Sequence, residues 1–146
     1  MKKLVNIANG QGFWGDSIQA PIDLVKNANI DYLTLDYLAE VTMSIMQKQK
    51  NKNSKQGYAN DFVEFISNVS DDIIKKNIKI ITNAGGVNPE ECSKKLKELF
   101  LKNNSKIKIV IVEGDNIVDN IDNLINKGAL LKNLDTGESI DSIKNK

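Results

Sequence analysis

Three stretches of this chain concentrate the side chains that can do chemistry. Asp36 and Glu40 stand four residues apart in Leu35-Asp36-Tyr37-Leu38-Ala39-Glu40. An acid at a strand terminus and another in the first turn of the following helix can converge, and paired carboxylates hold a divalent cation or share a proton. The same two acids also simply favour a helix N-terminus. Asn83-Ala84-Gly85-Gly86-Val87-Asn88-Pro89 is the second stretch. Two glycines before a capped helix let backbone N–H groups face an anion or a carbonyl oxygen, with the Asn83 amide as a further donor. A tight left-handed turn followed by a helix cap needs the same residues. Third, Gly10-x-Gly12-x-x-Gly15 formally matches the dinucleotide fingerprint, with Asp36 as the ribose-binding acid. Phe13 and Trp14 count against it, because they fill positions where a pyrophosphate loop needs close backbone approach. Exposed, these two aromatics would stack on a ligand; buried, they would be packing. Glu113 and Asp115 add two acids further on, Asp115 as a helix cap. Cys92 falls on the apolar side of its helix and reads as a core residue.

The elements that must position these residues alternate in period. Residues 3–8 are a short apolar strand, followed by the glycine-rich loop 9–16. A helix over 18–27 repeats Ile18, Ile22 and Val25, with Pro21 tolerated only in its first turn. Residues 31–36 form a second strand. A helix over 38–49 turns Leu38, Val41, Ile45 and Met46 inward, and the polar stretch 48–57 is a surface loop. The clearest helix spans 58–76, with Phe62, Phe65, Ile66, Val69 and Ile73 on one stripe. Strand three covers 78–82. Asn88 suits an N-cap, Pro89 the first helical position, and Glu90 and Glu91 the positive helix end. Residues 107–112 (IKIVIV) read as a fourth strand and lead to a helix ending near Gly128. The expected fold class is therefore α/β: a parallel, Rossmann-like sheet of about four strands with flanking helices and no internal domain boundary. In such sheets ligands bind outside the carboxyl ends of the strands, where these stretches fall.

Composition narrows the chemistry. The 146 residues carry 20 basic and 19 acidic side chains, a net charge of +1, which gives no basic face for a nucleic acid. Every basic residue is Lys, and there is neither Arg nor His. A Ser-His-Asp triad, a Cys-His dyad, a His-ligated zinc and an arginine clamp on phosphate are excluded within the chain. Carboxylates, Lys, Tyr, hydroxyls and backbone amides remain. The single cysteine allows no internal disulfide and suits a cytoplasmic location. The apolar run 4–8 is too short for a signal-peptide core, and no run approaches a membrane span.

Five segments together resemble the acyclic terpene utilisation (AtuA-type) family: IANGQGFWGD at 7–16, DYLTLDYLAEVTM at 31–43, TNAGGVNP at 82–89, VEGD at 112–115 and LDTGE at 134–138. They run in order along almost the whole chain. The resemblance implies a role in catabolism of acyclic terpenes such as citronellol and geraniol, whose intermediates travel as CoA thioesters; the family is defined by a pathway and not by a reaction. It also implies that the chain is the N-terminal portion of a longer domain, since members continue into a further glycine-rich segment. Residue by residue, the family pattern points to Gly12, Gly15, Asp16, Asp36, Glu40, Asn83, Gly85, Gly86, Asn88, Glu113 and Asp115. Gly10 falls outside its emphasis.

Three functions are thus in view. One is binding of, or action on, a small organic acid or acyl-CoA-like compound. Here Asp36 and Glu40 would serve as acid/base or metal-positioning groups, and the Gly85-Gly86 loop as backbone donor to a carbonyl or phosphate oxygen. The second is NAD or FAD binding through Gly10, Gly12 and Gly15. The third is a non-catalytic subunit completed by a partner chain or a second copy.

Overall fold

A computed structural model of the chain describes residues 4–103 and 107–143. The chain divides into two units, 1–111 and 112–146, where no boundary was expected from sequence. The first unit holds β1 (Ile7–Gln11), α1 (Gln19–Asn27), β2 (Tyr32–Leu35), α2 (Glu40–Lys52), α3 (Asn60–Lys76), β3 (Lys79–Thr82) and α4 (Pro89–Lys102). Its sheet is parallel, in the order β1-β2-β3, with Ala8 opposite Leu33 and Leu33 opposite Ile80. The α/β class holds, with three strands among the described residues in place of about four.

Sheet order decides where the helices go. Each crossover moves in the same direction across the sheet, so right-handed connections put their helices on one face. Accordingly α1 packs on β1 and α3, and α3 packs on α4. Leu33 and Leu35 point into this layer and are fully or almost fully buried, together with Val25, Phe65 and Val69. On the opposite face Ile7 is 67% and Ile81 56% exposed. Lys76, in the last turn of α3, donates from Nζ to the carbonyl oxygens of Val25 and Lys26 and so satisfies the open C-terminal end of α1.

Several boundaries differ from the expected ones. β1 lies later than 3–8, of which residue 3 is outside the described residues. Asn6 O accepts from Asp31 and Tyr32, and Gln11 O accepts from Asp36, so the ladder reaches through Gly10 with a register shift between Asn9 and Gln11. A Cβ at Gly10 would stand 2.8 Å from Cβ of Pro21, so this glycine lets β1 and α1 approach closely. α2 continues to Lys52, making helix of part of the expected 48–57 loop; its Lys and Gln residues are good helix formers with no breaker among them. Only Met46 of α2 is buried, while Val41 is 70% exposed and Ile45 is also exposed, so the inward stripe read from periodicity is mostly not covered.

Residues 107–112 belong to no strand. Ile107 and Ile109 pack half-buried against the core and Lys108 and Val110 are exposed, so the period of two survives without the ladder. Strand propensity measures how well side chains fit a half-buried surface, and that preference is met here without strand pairing. The second unit contains a 3-10 turn (Val118–Asn120), α5 (Ile121–Asn126), a second 3-10 turn (Ile140–Ser142) and an antiparallel bridge between Lys132 and Ser139. None of its described residues is buried. No described helix is long and apolar enough to cross a membrane.

Candidate functional site

The carboxyl ends of β2 and β3 are joined by one side-chain pair. Asn83, just past β3, donates from Nδ2 to Asp36 Oδ1 at 2.7 Å, and its Oδ1 accepts the Tyr37 N–H at 2.7 Å. Asp36 Oδ1 also accepts the Leu38 N–H at 3.2 Å. Asp36 is exposed, and the Asn83 amide, followed by the Leu38 N–H, holds its carboxyl below the ordinary carboxylate range. It is therefore anionic at neutral pH and suited to accept a hydrogen bond or hold a cation rather than to donate a proton. Glu40 is the first residue of α2 and is also exposed. Among the described residues no group of three or more His, Cys, Asp or Glu side chains is placed to hold a metal ion.

Tyr37 anchors this edge, and sequence reasoning passed over it. It continues the inward alternation of Leu33 and Leu35 one step beyond β2, which is the signal that marks it. Its ring is buried edge-on against Phe62, with centroids 6.0 Å apart. Burial, then the charge of Asp61, push its phenol up, while a hydrogen bond with Gln11 opposes them. Gln11, also unflagged, is buried at the end of β1 and donates to the Phe13 carbonyl at 2.9 Å. A buried core side chain thus fixes the backbone next to Asp36.

The glycine-rich loop after β1 is closed by its own acid. Asp16 accepts from the Gly12 N–H at 3.2 Å and the Ser17 N–H at 2.7 Å. Gly15 has φ +98°, and α1 begins only at Gln19. With Gly10 in the strand and the Gly12 amide engaged, the three glycines do not lead into a helix N-terminus, which is what a pyrophosphate loop requires. Trp14 and Phe13 separate: Trp14 is half-buried and its Nε1 donates to Asp61 of α3 at 3.1 Å, whereas Phe13 is exposed.

The loop after β3 uses most of its amides internally. The N–H groups of Ala84, Gly86, Val87 and Asn88 donate to Thr82 Oγ1, Asn83 O, Gly57 O and Gly85 O, each at 3.0 Å. The N–H groups of Asn83 and Gly85 are the amides of this loop that take no partner among the described residues. Gly86, at φ +55°, fits between Met46 and the Gly57 carbonyl, and Gly85 lies against Pro89. Asn88 does not cap α4 with its side chain. It is buried, and its Nδ2 donates to the carbonyl oxygens of Ser54 at 2.9 Å and Gln56 at 2.7 Å. A cap and a clamp call for the same small polar residue, which is why the sequence suggested the wrong one.

Glu113 and Asp115 lie in the second unit and are exposed, and the described residues 107–112 that precede them form no strand, contrary to the expected fourth strand. Cys92 is buried, and burial pushes its thiol up to about 11, which fits a core residue and not a nucleophile.

No curated protein and no solved structure matches the chain. The family model described as Acyclic terpene utilisation family protein AtuA matches residues 5–146, nearly the whole chain, and the protein belongs to that family.

Proposed function

We propose that this AtuA-family protein binds an acyl compound of acyclic terpene catabolism at the carboxyl edge of its sheet, with Asp36 as the polar contact. The observation that carries the reading is the Asp36–Asn83 pair across the ends of β2 and β3. Family membership supports the pathway. The charge state of Asp36 narrows the ligand: an anionic carboxylate repels a free acid and accepts from a donor, such as a hydroxyl or the amide N–H of a CoA pantetheine arm. Asn83 holds the carboxylate in place, Glu40 follows it at the start of α2, and Gly12, Asp16 and Gly85 lie on the loops that follow the neighbouring strands β1 and β3. Calorimetric titration with citronellyl-CoA tests the proposal. The expected result is saturable binding that Asp36→Asn weakens by about ten- to a hundredfold, the range for losing a charged hydrogen bond. Equal affinity in the wild type and the variant overturns it.

The bare sheet face favours a second reading, in which a partner polypeptide covers it. Parallel sheets are ordinarily covered on both faces, and Ile7 and Ile81 are apolar and exposed here. Light scattering on the ligand-competent protein is expected to give a mass above the 16.2 kDa of one chain. Ligand binding by a lone 16.2 kDa chain overturns it.

A further inference from the structure

The two adjacent aromatics of the first loop meet opposite fates. Trp14 is tied to α3 through its indole N–H and packs against the core. The Phe13 side chain is left 61% exposed. It is the one large apolar side chain exposed in the loops 12–18, 36–39 and 83–88 among the described residues.

Its exposure is enforced by the backbone. The Phe13 carbonyl accepts from Gln11 Nε2 at 2.9 Å and from the Asp16 N–H at 3.2 Å. Gly12 on one side is bonded to the Asp16 carboxylate, and Trp14 on the other is anchored to Asp61. A loop held at four points cannot easily turn the phenyl ring into the core. An aromatic ring kept in water on a pre-ordered loop is the form binding anchors take, because little entropy is left to lose when a partner covers it. β1 and β2 are neighbours, so the loops that carry Phe13 and Asp36 leave the sheet side by side at the same edge.

We infer that Phe13 is the apolar contact for the hydrocarbon part of the ligand and sets a preference for long over short acyl chains. This rests on the ligand reading above. Asp36 and Asn83 would meet the polar group, and Phe13 the chain.

The test compares citronellyl-CoA with acetyl-CoA by calorimetry in the wild type, Phe13→Ala, Phe13→Leu and Asp36→Asn. Wild type is expected to prefer citronellyl-CoA. Phe13→Ala should weaken citronellyl-CoA by about tenfold, in the range for truncating an aromatic anchor, and leave acetyl-CoA unchanged, while Phe13→Leu recovers part of the loss. Unchanged intrinsic fluorescence of Trp14 checks that the loop keeps its shape. If Phe13→Ala binds citronellyl-CoA like wild type while Asp36→Asn does not, the inference on Phe13 fails and the site reading stands. If the wild type binds neither thioester, both fall. Equal losses for both thioesters in Phe13→Ala overturn the chain-length role.

Discussion

Gly86→Ala is expected to destabilise the first unit by about 2–4 kcal/mol, from overpacking and from a left-handed backbone conformation that costs an alanine about 1–2 kcal/mol. The residue has φ +55°, and a Cβ there would lie within contact-breaking reach of Met46 Sδ and 2.7 Å from the Gly57 carbonyl oxygen. Met46 is flexible and can yield in part. The Gly57 carbonyl cannot, because it is backbone and accepts the Val87 N–H. Any shift that relieves one contact loosens the other, so the segment around Gly57 and the turn at Gly86 separate together. The matched comparison is Gly12→Ala, whose Cβ would find nothing nearer than Asp16 Oδ2 at 4.0 Å and should change stability by less than about 0.5 kcal/mol. Urea melts followed by circular dichroism measure both. A loss below about 1 kcal/mol for Gly86→Ala would mean that the turn is not packed as described. The outcome bears on function as well. An alanine keeps the N–H, so a glycine retained purely as an oxyanion donor would tolerate it.

Segments with strong periodicity were the readable part of this chain. The stripe Phe62, Phe65, Ile66, Val69 and Ile73 is buried as its spacing requires, and β2 and β3 fall within a residue of the expected spans. Periodicity failed where it says that a side chain is apolar but not what covers it. α2 carries Val41, Ile45 and Met46 at helical spacing, yet only Met46 finds a partner, in the Gly86 turn. Residues 107–112 keep the alternation of a strand without the pairing, because pairing depends on a neighbour's free edge and not on local sequence. The glycines divide in the same way. Gly10 looked incidental beside Gly12 and Gly15, and its role appears only when Pro21, eleven residues away in sequence, is placed against it.

The candidate site was legible in part for a topological reason. Strand ends of a parallel sheet share one edge, so Asp36 and Asn83, at the ends of the second and third strands, had to be neighbours once the sheet order placed β2 beside β3. Their direct bond confirms that proximity. The residues passed over, Gln11 and Tyr37, are supports: one buried amide and one buried phenol that hold the loop backbone. Such roles leave no motif, since any residue of suitable shape that points inward at the strand end can fill them.

Asn88 supplies the sharpest separation between two structural roles. If its side chain capped α4, Asp and Ser would replace it at little cost, because both accept hydrogen bonds from the first helical amides. In the structure it acts as a donor: Nδ2 reaches the Ser54 and Gln56 carbonyl oxygens, and the residue is buried. Asn88→Ala therefore removes two hydrogen bonds and leaves two carbonyls short of a partner, for an expected loss of about 2–3 kcal/mol. Asn88→Asp should be worse than Asn88→Ala, since it sets a buried carboxylate against two carbonyl oxygens with no donor between them. The order of the two variants is the informative result. Urea midpoints that fall as wild type, then Ala, then Asp support the clamp, and an Asp variant near wild type would restore the cap. The sign also carries a pH signature. In Asn88→Asp the folded protein holds the neutral acid more readily than the unfolded chain, so the new carboxyl has a raised folded pKa. The penalty should then shrink as pH falls through that value and reach its full size above it, a dependence that Asn88→Ala lacks.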